Sequence, residues 1–186
     1  MRGGRCTAVA ALVVAASLRS LSAAPAAELV RVGNPSADDF HFSMANVGTA
    51  AGIFTKYGLE IEITSLAGGA KLHAAMIAGS LDIALGAGTD IGLVAKGATE
   101  KGVGVLATKP SNMVLQASAL SHATNVADLK GKKIGVSSVG ALTYWLAQQL
   151  VKREGWGPDG LELVATGGGQ GNVAGFVSGN LDGAVT

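Results

Sequence analysis

Cysteine is nearly absent from this sequence: the single one, Cys6, excludes an intramolecular disulfide framework. Aromatic residues make up only 4% of the 186 residues, whereas glycine occurs 28 times. That balance disfavours a helical bundle and suits alternating strand, loop and helix units, in which glycine allows tight turns and close backbone approach. Charged residues are few, at 15%, but hydrophobic ones reach 48%, a composition that excludes disorder and collagen-like repeats. The longest apolar run, Cys6 to Leu18, is too short to span a bilayer. The length allows one domain or two small lobes.

What is present begins with an export pattern. Arg2 and Arg5 precede the apolar run, and the small residues from Ser22 to Ala27 follow it. The triplet Ala24-Pro25-Ala26 meets the small-x-small rule, so residues 1–26 are expected to be a signal peptide cleaved near Ala26, with periplasmic release. Cys6 would leave with it. Removing Arg2, Arg5 and Arg19 leaves 11 basic side chains against 13 acidic ones, a formal balance of −2 that makes nucleic acid a poor partner.

Beyond the signal the pattern is α/β. Leu29 to Val32 reads as a strand entering a polar loop. Met44, Val47, Ala51 and Phe54 recur at helical spacing before the stop signal at Gly58. Leu59 to Ile63 alternates as a half-buried strand, and a helix over Lys71 to Ala78 ends at Gly79. Leu81 to Leu85 is a third strand, and a short helix runs on through Lys96. Gly102 to Thr108 and Met113 to Ser118 read as extended segments. The pattern then restarts: a helical turn over Val126 to Lys130, a strand over Lys133 to Val136, a helix carrying Leu142, Leu146 and Leu150, a strand over Leu161 to Val164, another helix, and a last strand near Gly183 to Val185.

That restart is an internal repeat. The segment from Ala74 to Ala84 aligns with Ala174 to Ala184 at a constant offset of 100, sharing Gly79/Gly179, Leu81/Leu181 and Asp82/Asp182. Leu59-Glu60-Ile61 likewise matches Leu161-Glu162-Leu163, and Arg31-Val32-Gly33 matches Lys133-Ile134-Gly135. Two lobes of one architecture follow. Asp82 and Asp182 are expected to be structural turn or cap residues.

Catalytic signatures fail one by one. No glycine-lysine-Ser/Thr occurs, so there is no P-loop, and Gly86-Ala87-Gly88 has Ile91 where a dinucleotide fingerprint needs its third glycine. Val139 stands where a nucleophile elbow needs glycine. His41, His73 and His122 lack metal-ligand spacing, so no catalytic residue, metal site or cofactor is expected. Trp145 and Trp156 are expected to pack the second lobe.

Four stretches, Gly52 to Ile61, Ala75 to Ala84, Val126 to Val136 and the second repeat ending at Ala184, resemble the periplasmic solute-binding proteins of ABC importers. The branch is the nitrate/sulfonate/taurine type, which includes binders of thiamine-pyrimidine precursors. The resemblance implies a two-lobe α/β periplasmic-binding-protein architecture of type II and a small-molecule ligand held between the lobes. It also implies delivery to a membrane permease by a monomeric binder that is not an enzyme. Proteins of this type are longer, so the second lobe is expected to be incomplete, its C-terminal part truncated. The expected division is a first lobe over residues 27–108, a crossover or hinge over 109–125 and a second lobe over 126–186. The rival readings are an enzyme or a sensory input domain on the same fold. An export signal argues against a cytoplasmic enzyme, and a sensor would need a membrane span near the mature domain.

In open α/β sheets ligands sit beyond the carboxyl ends of the strands. The expected ligand contacts are therefore Asp38, Phe40 and Phe42 in the first loop, Gly68 and Gly69 in the second, and Gly88 and Thr89 in the third. Ser137, Ser138, Gly140, Thr143, Gly169 and Gln170 form the facing wall. Glycines admit close approach, hydroxyls and amides donate or accept, and Phe40 and Phe42 supply apolar surface. Lys71 is a candidate counter-charge for an anion, and Asp38 and Asp39 suit a ligand with donors.

Overall fold

The structure, a computed structural model, describes residues 26–186 except 38, 87 and 107–111. The expected signal peptide, apart from Ala26, and Asp38 thus lie outside the described residues. Two sheets organise the chain. The first has the order β2-β1-β3 and the second β4-β7-β5-β6. The first half comprises β1 (Glu28–Asn34), α1 (Ser43–Ala50), β2 (Leu59–Ser65), α2 (Gly69–Ile77), β3 (Ile83–Ala84) and α3 (Thr89–Val94). The second half comprises β4 (Leu115–Ala117), β5 (Lys133–Val136), α4 (Leu142–Arg153), β6 (Glu162–Ala165), α5 (Gly169–Val177) and β7 (Gly183–Val185).

In each half a central strand, β1 or β5, is flanked by parallel neighbours. The chain runs from the central strand to one side, then returns to the other, which creates a topological switch point at the carboxyl end of the central strand. β4 joins the second sheet antiparallel to β7, pairing Leu115 with Val185.

The repeated glycines have a packing reason. A β-carbon at Gly33 would collide with Leu81 and lie 2.6 Å from Leu72; at Gly135 it would lie 2.5 Å from Asn172 Oδ1 and 2.9 Å from Leu181. Both central strands therefore let a helix and the leucine before the returning strand come down onto bare backbone. Leu72, Leu81 and Leu181 are buried there. The second half has the larger core: Leu129, Ile134, Val136, Ala147, Leu161 and Val185, with Trp156 and Tyr144 packed against it.

The repeated aspartates act as cross-strand clamps. The Asp82 carboxylate accepts from the Arg31 backbone N–H at 2.8 Å and from its Nε and Nη2 at 3.0 and 2.8 Å. The Asp82 N–H in turn donates to Arg31 O at 2.9 Å. Asp182 repeats this, accepting from the Lys133 N–H and donating to Lys133 O, both at 2.9 Å. The residues are structural, but their partner is the neighbouring central strand and not their own turn.

Two elements and one side chain depart from the sequence expectation. The first helix stops at Ala50; Gly52, at φ 64°, turns the chain into a 3-10 segment over Phe54–Tyr57 capped by left-handed Gly58. Its buried face is Ala45 and Gly48, with the Phe54 ring where a Gly48 β-carbon would stand, whereas Met44 and Val47 are exposed. Small residues bring that helix close, which hydrophobic spacing alone cannot reveal. β3 is shortened to two residues, Ile83–Ala84. Trp145 is 48% exposed and does not join the core that Trp156 packs against.

Three outcomes follow. Gly135→Val should destabilise the protein by about 1–3 kcal/mol in chemical denaturation, as overpacking does. Gly104→Ala, at an open position with nothing within 4 Å, should be neutral. The Arg31 side chain and backbone hold the Asp82 carboxyl at about 2, below the ordinary 3.8. A depressed carboxylate stabilises the fold above its unfolded pKa, and that stabilisation fades as pH falls from about 4 to about 2. Thermal unfolding followed across that window should show a smaller acid loss for Asp82→Asn, which starts less stable at neutral pH.

Candidate functional site

The loops beyond the central strands are built alike in both halves. Leu66 N–H donates to Asn34 O and Gly68 N–H to Pro35 O, at 2.9 and 2.7 Å; Thr166 N–H donates to Val136 O and Gly167 N–H to Ser137 O, at 2.8 and 3.0 Å. The chain then enters α2 and α5 through Gly68 and Gly168, at φ 117° and 114°, a backbone region that side chains rarely adopt.

These loops meet each other across the two halves. A β-carbon on Gly68 would run into the Ser138 hydroxyl and stand 2.8 Å from Ser138 Cβ. One on Gly168 would lie 3.8 Å from Ser36 Oγ, and one on Gly167 3.7 Å from Ala67 Cβ. Each half thus sets the turn after its second strand against the other half, with the loop after the first strand as a main partner. Ser138 Oγ is buried there with no hydrogen-bond partner, and so is Asn34 Oδ1 at the end of β1.

Beside this contact lies a cavity of about 260 Å³ lined by Gly69, Ala70 and His73 of α2, Thr89, Asp90 and Leu93 of α3, and Gly140 from the other half. His73 Nδ1 lies 2.8 Å from Glu100 Oε1, and its Nε2 lies 3.6 Å from Asp90 Oδ1. His73 Nε2 and Glu100 Oε2 are buried and make no hydrogen bond. A larger groove of about 700 Å³ runs along α4 and β6, between Val139 and Leu163. It is formed by the second half alone, so the smaller cavity, shared by both halves at the switch points, is the candidate site.

Of the residues expected to touch ligand, Gly69, Thr89 and Gly140 line this cavity, and Gly68 and Ser138 form the contact beside it. Ser137 and Thr143 bond to one another, Thr143 Oγ1 accepting from the Ser137 N–H at 2.9 Å and meeting its hydroxyl at 2.9 Å. Phe40 is 83% exposed, in a 3-10 turn with half-buried Phe42 that Asp39 caps by accepting from the His41 N–H. Gly88 is exposed ahead of α3, and Gly169 and Gln170 open α5. Lys71 is exposed on α2, outside the cavity lining. Arg31 is engaged by Asp82, and Arg153 by Glu154 at 2.9 Å. Sequence reading missed Ala70, His73, Asp90 and Leu93. His73 stands one helical turn beyond both Gly69 and Ala70, a spacing that carried a signal for Ala70 and His73. Among the described residues, no group of three His, Cys, Asp or Glu side chains is arranged to hold a metal ion.

The family model described as NMT1/THI5 like matches residues 40–186. The chain belongs to the NMT1/THI5-like family. No curated protein is similar enough in sequence to count as a relative. Among solved structures, a protein from Bordetella bronchiseptica RB50 superposes with a TM-score of 0.69 at 25% identity, over 84% of this chain and 50% of its own. The alkanesulfonate-binding protein SsuA from Xanthomonas axonopodis pv. citri, bound to MOPS, gives 0.61 at 19% identity, over 88% and 55%. The periplasmic aliphatic sulphonate binding protein SsuA from Escherichia coli gives 0.54 at 20%, over 85% and 53%. This family member therefore has the α/β periplasmic-binding-protein fold and spans about half the length of those structures.

The approach of the two halves at Gly68 is testable. Gly68→Ala places a β-carbon against Ser138 at a left-handed φ. Amide hydrogen exchange at residues 66–69 and 137–140 should speed up, whereas exchange in β5 and β7 should stay unchanged.

Proposed function

We propose that this protein is the solute-binding component of an ABC importer, capturing a small molecule between two lobes and presenting it to a membrane permease. The observation that carries the reading is the cavity lined by the first half and by Gly140 of the second, beside reciprocal loop contacts, in a chain of this family. The lobes are residues 27–108 and 126–186, joined by a crossover over 109–125, and the protein works as a monomer. Ligand contacts come from the glycine- and hydroxyl-rich loops, with Gly69, Thr89 and Gly140 nearest the cavity. Its role is binding and not turnover, in keeping with the SsuA neighbours, which are named as binding proteins.

Export follows from the same reading, because a permease of this kind is fed from outside. Residues 1–26 act as a cleaved signal peptide. N-terminal sequencing of protein from an osmotic-shock fraction should begin near Ala27, and an intact Met1 on most molecules would refute export.

Binding is tested by thermal shift against small anions, amino compounds, pyrimidines and aromatic acids. A ligand at about 100 times its Kd should add about 2.7 kcal/mol of stability. Gly69→Val is the sharper variant, because its β-carbon meets nothing within 4 Å and its φ is ordinary, so the fold accepts it while the isopropyl group enters the cavity. Its unliganded melting temperature should match the parent and its affinity should fall at least about fivefold. Unchanged affinity would move the site elsewhere.

A further inference from the structure

The outer flank of the second half carries a different kind of surface. β6 is the last strand of its sheet, with β5 on one side only. The Glu162 N–H donates to Lys132 O and the Thr166 N–H to Val136 O, at 2.9 and 2.8 Å, so alternate residues from Glu162 on turn their backbone groups to β5. Leu163 and Ala165, between them, turn theirs to the open edge, where no strand among the described residues meets them. The groove of about 700 Å³ runs along this same edge. Leu161, Leu163 and Val151 give it an apolar floor, and Tyr144, Gln148 and Lys152, four residues apart on α4, form its wall.

Two features indicate the occupant. The first is a missing guard, because edge strands are usually kept from pairing by charged side chains. At the offset of 102 that matches Leu59 to Leu161, β2 carries Glu60 and Glu62, whereas β6 carries Glu162 and then Val164. The second is charge. Among the described residues Lys152 enters no ion pair, and the groove lining holds no acidic side chain; Glu162 lies 3.9 Å from Lys133, and Glu154 is engaged by Arg153. We propose that β6 is a docking edge for an extended peptide segment of a partner protein, one that lays alternate apolar residues over the groove and an acidic residue beside Lys152. Antiparallel addition is the stronger pairing per residue. It sets the acidic residue at the C-terminal end of the segment, because Lys152 lies in the last turn of α4, at the end from which the chain enters β6. Backbone bonds to Leu163 and Ala165 supply affinity, and the apolar floor selects every second side chain. The groove shares no residue with the solute cavity, so the two readings stand or fall separately.

Amide hydrogen exchange and calorimetric titration of the purified full chain test this with two N-acetylated, C-amidated hexapeptides, Val-Thr-Val-Thr-Val-Glu and the same peptide ending in Lys. The acidic peptide should slow exchange at Leu163 and Ala165 and leave Glu162 and Val164 unchanged. At low salt the Lys peptide should bind about two- to fivefold more weakly, and Lys152→Glu should reverse that order. Ala165→Pro removes an outward N–H and leaves the ladder to β5 intact, so it should weaken binding about fivefold. Lys152→Glu, at an exposed helix position, keeps the test independent of how well the proline variant folds. Exchange at Leu163 and Ala165 unmoved at the solubility limit of the acidic peptide, equal affinity for the two peptides, or binding indifferent to a folded Ala165→Pro would each overturn the proposal. Slowing that grows with protein concentration in the absence of peptide would give the edge to a second copy of the chain and overturn it too.

Discussion

Everything in the fold depends on holding the returning strand of each half against the central one. β3 and β7 contribute only two and three residues, too few for ladder bonds alone to fix them. The aspartate just before each strand supplies what the ladder lacks. Its carboxylate and its own amide engage the same residue of the central strand, Arg31 or Lys133, so register is set before the strand begins. A one-residue slip would turn the buried leucines, Leu81 and Leu181, away from the bare glycine backbone on which they sit.

Once register is fixed, the cleft follows. The switch point at the end of each central strand directs two loops to the same edge, and the glycines entering α2 and α5 let these loops touch their counterparts. At the end of β1 and just beyond β5, two buried polar atoms make no hydrogen bond, Asn34 Oδ1 and Ser138 Oγ. Interiors seldom tolerate such groups. Ser138 lies where the two halves meet, against Gly68.

The sequence was most informative where a single local rule governs. β5 and β7 lie within the expected bounds, and the glycines at 58, 79 and 155 are left-handed helix ends, because each feature depends on near neighbours in the chain. It was least informative where packing chooses between local options. Ala45 and Gly48 face inward in place of Met44 and Val47 because a close helix leaves no room for long side chains. Trp145 lies half in solvent even though its residue type favours burial. Of the candidate site, the glycine and hydroxyl loops were recognisable by type. The pairing of His73 with Glu100, 27 residues apart and joined only by folding, left no periodic trace.

The offset of 100 between the halves places Val173 opposite His73 in the repeat, and Val173 is exposed on α5. Near-equivalent halves would by themselves offer a solute two equivalent ways to lie between them. The duplication broke that equivalence at this position: one half carries an imidazole and its copy an aliphatic stub. The two halves are therefore chemically unlike at this position in spite of their shared architecture.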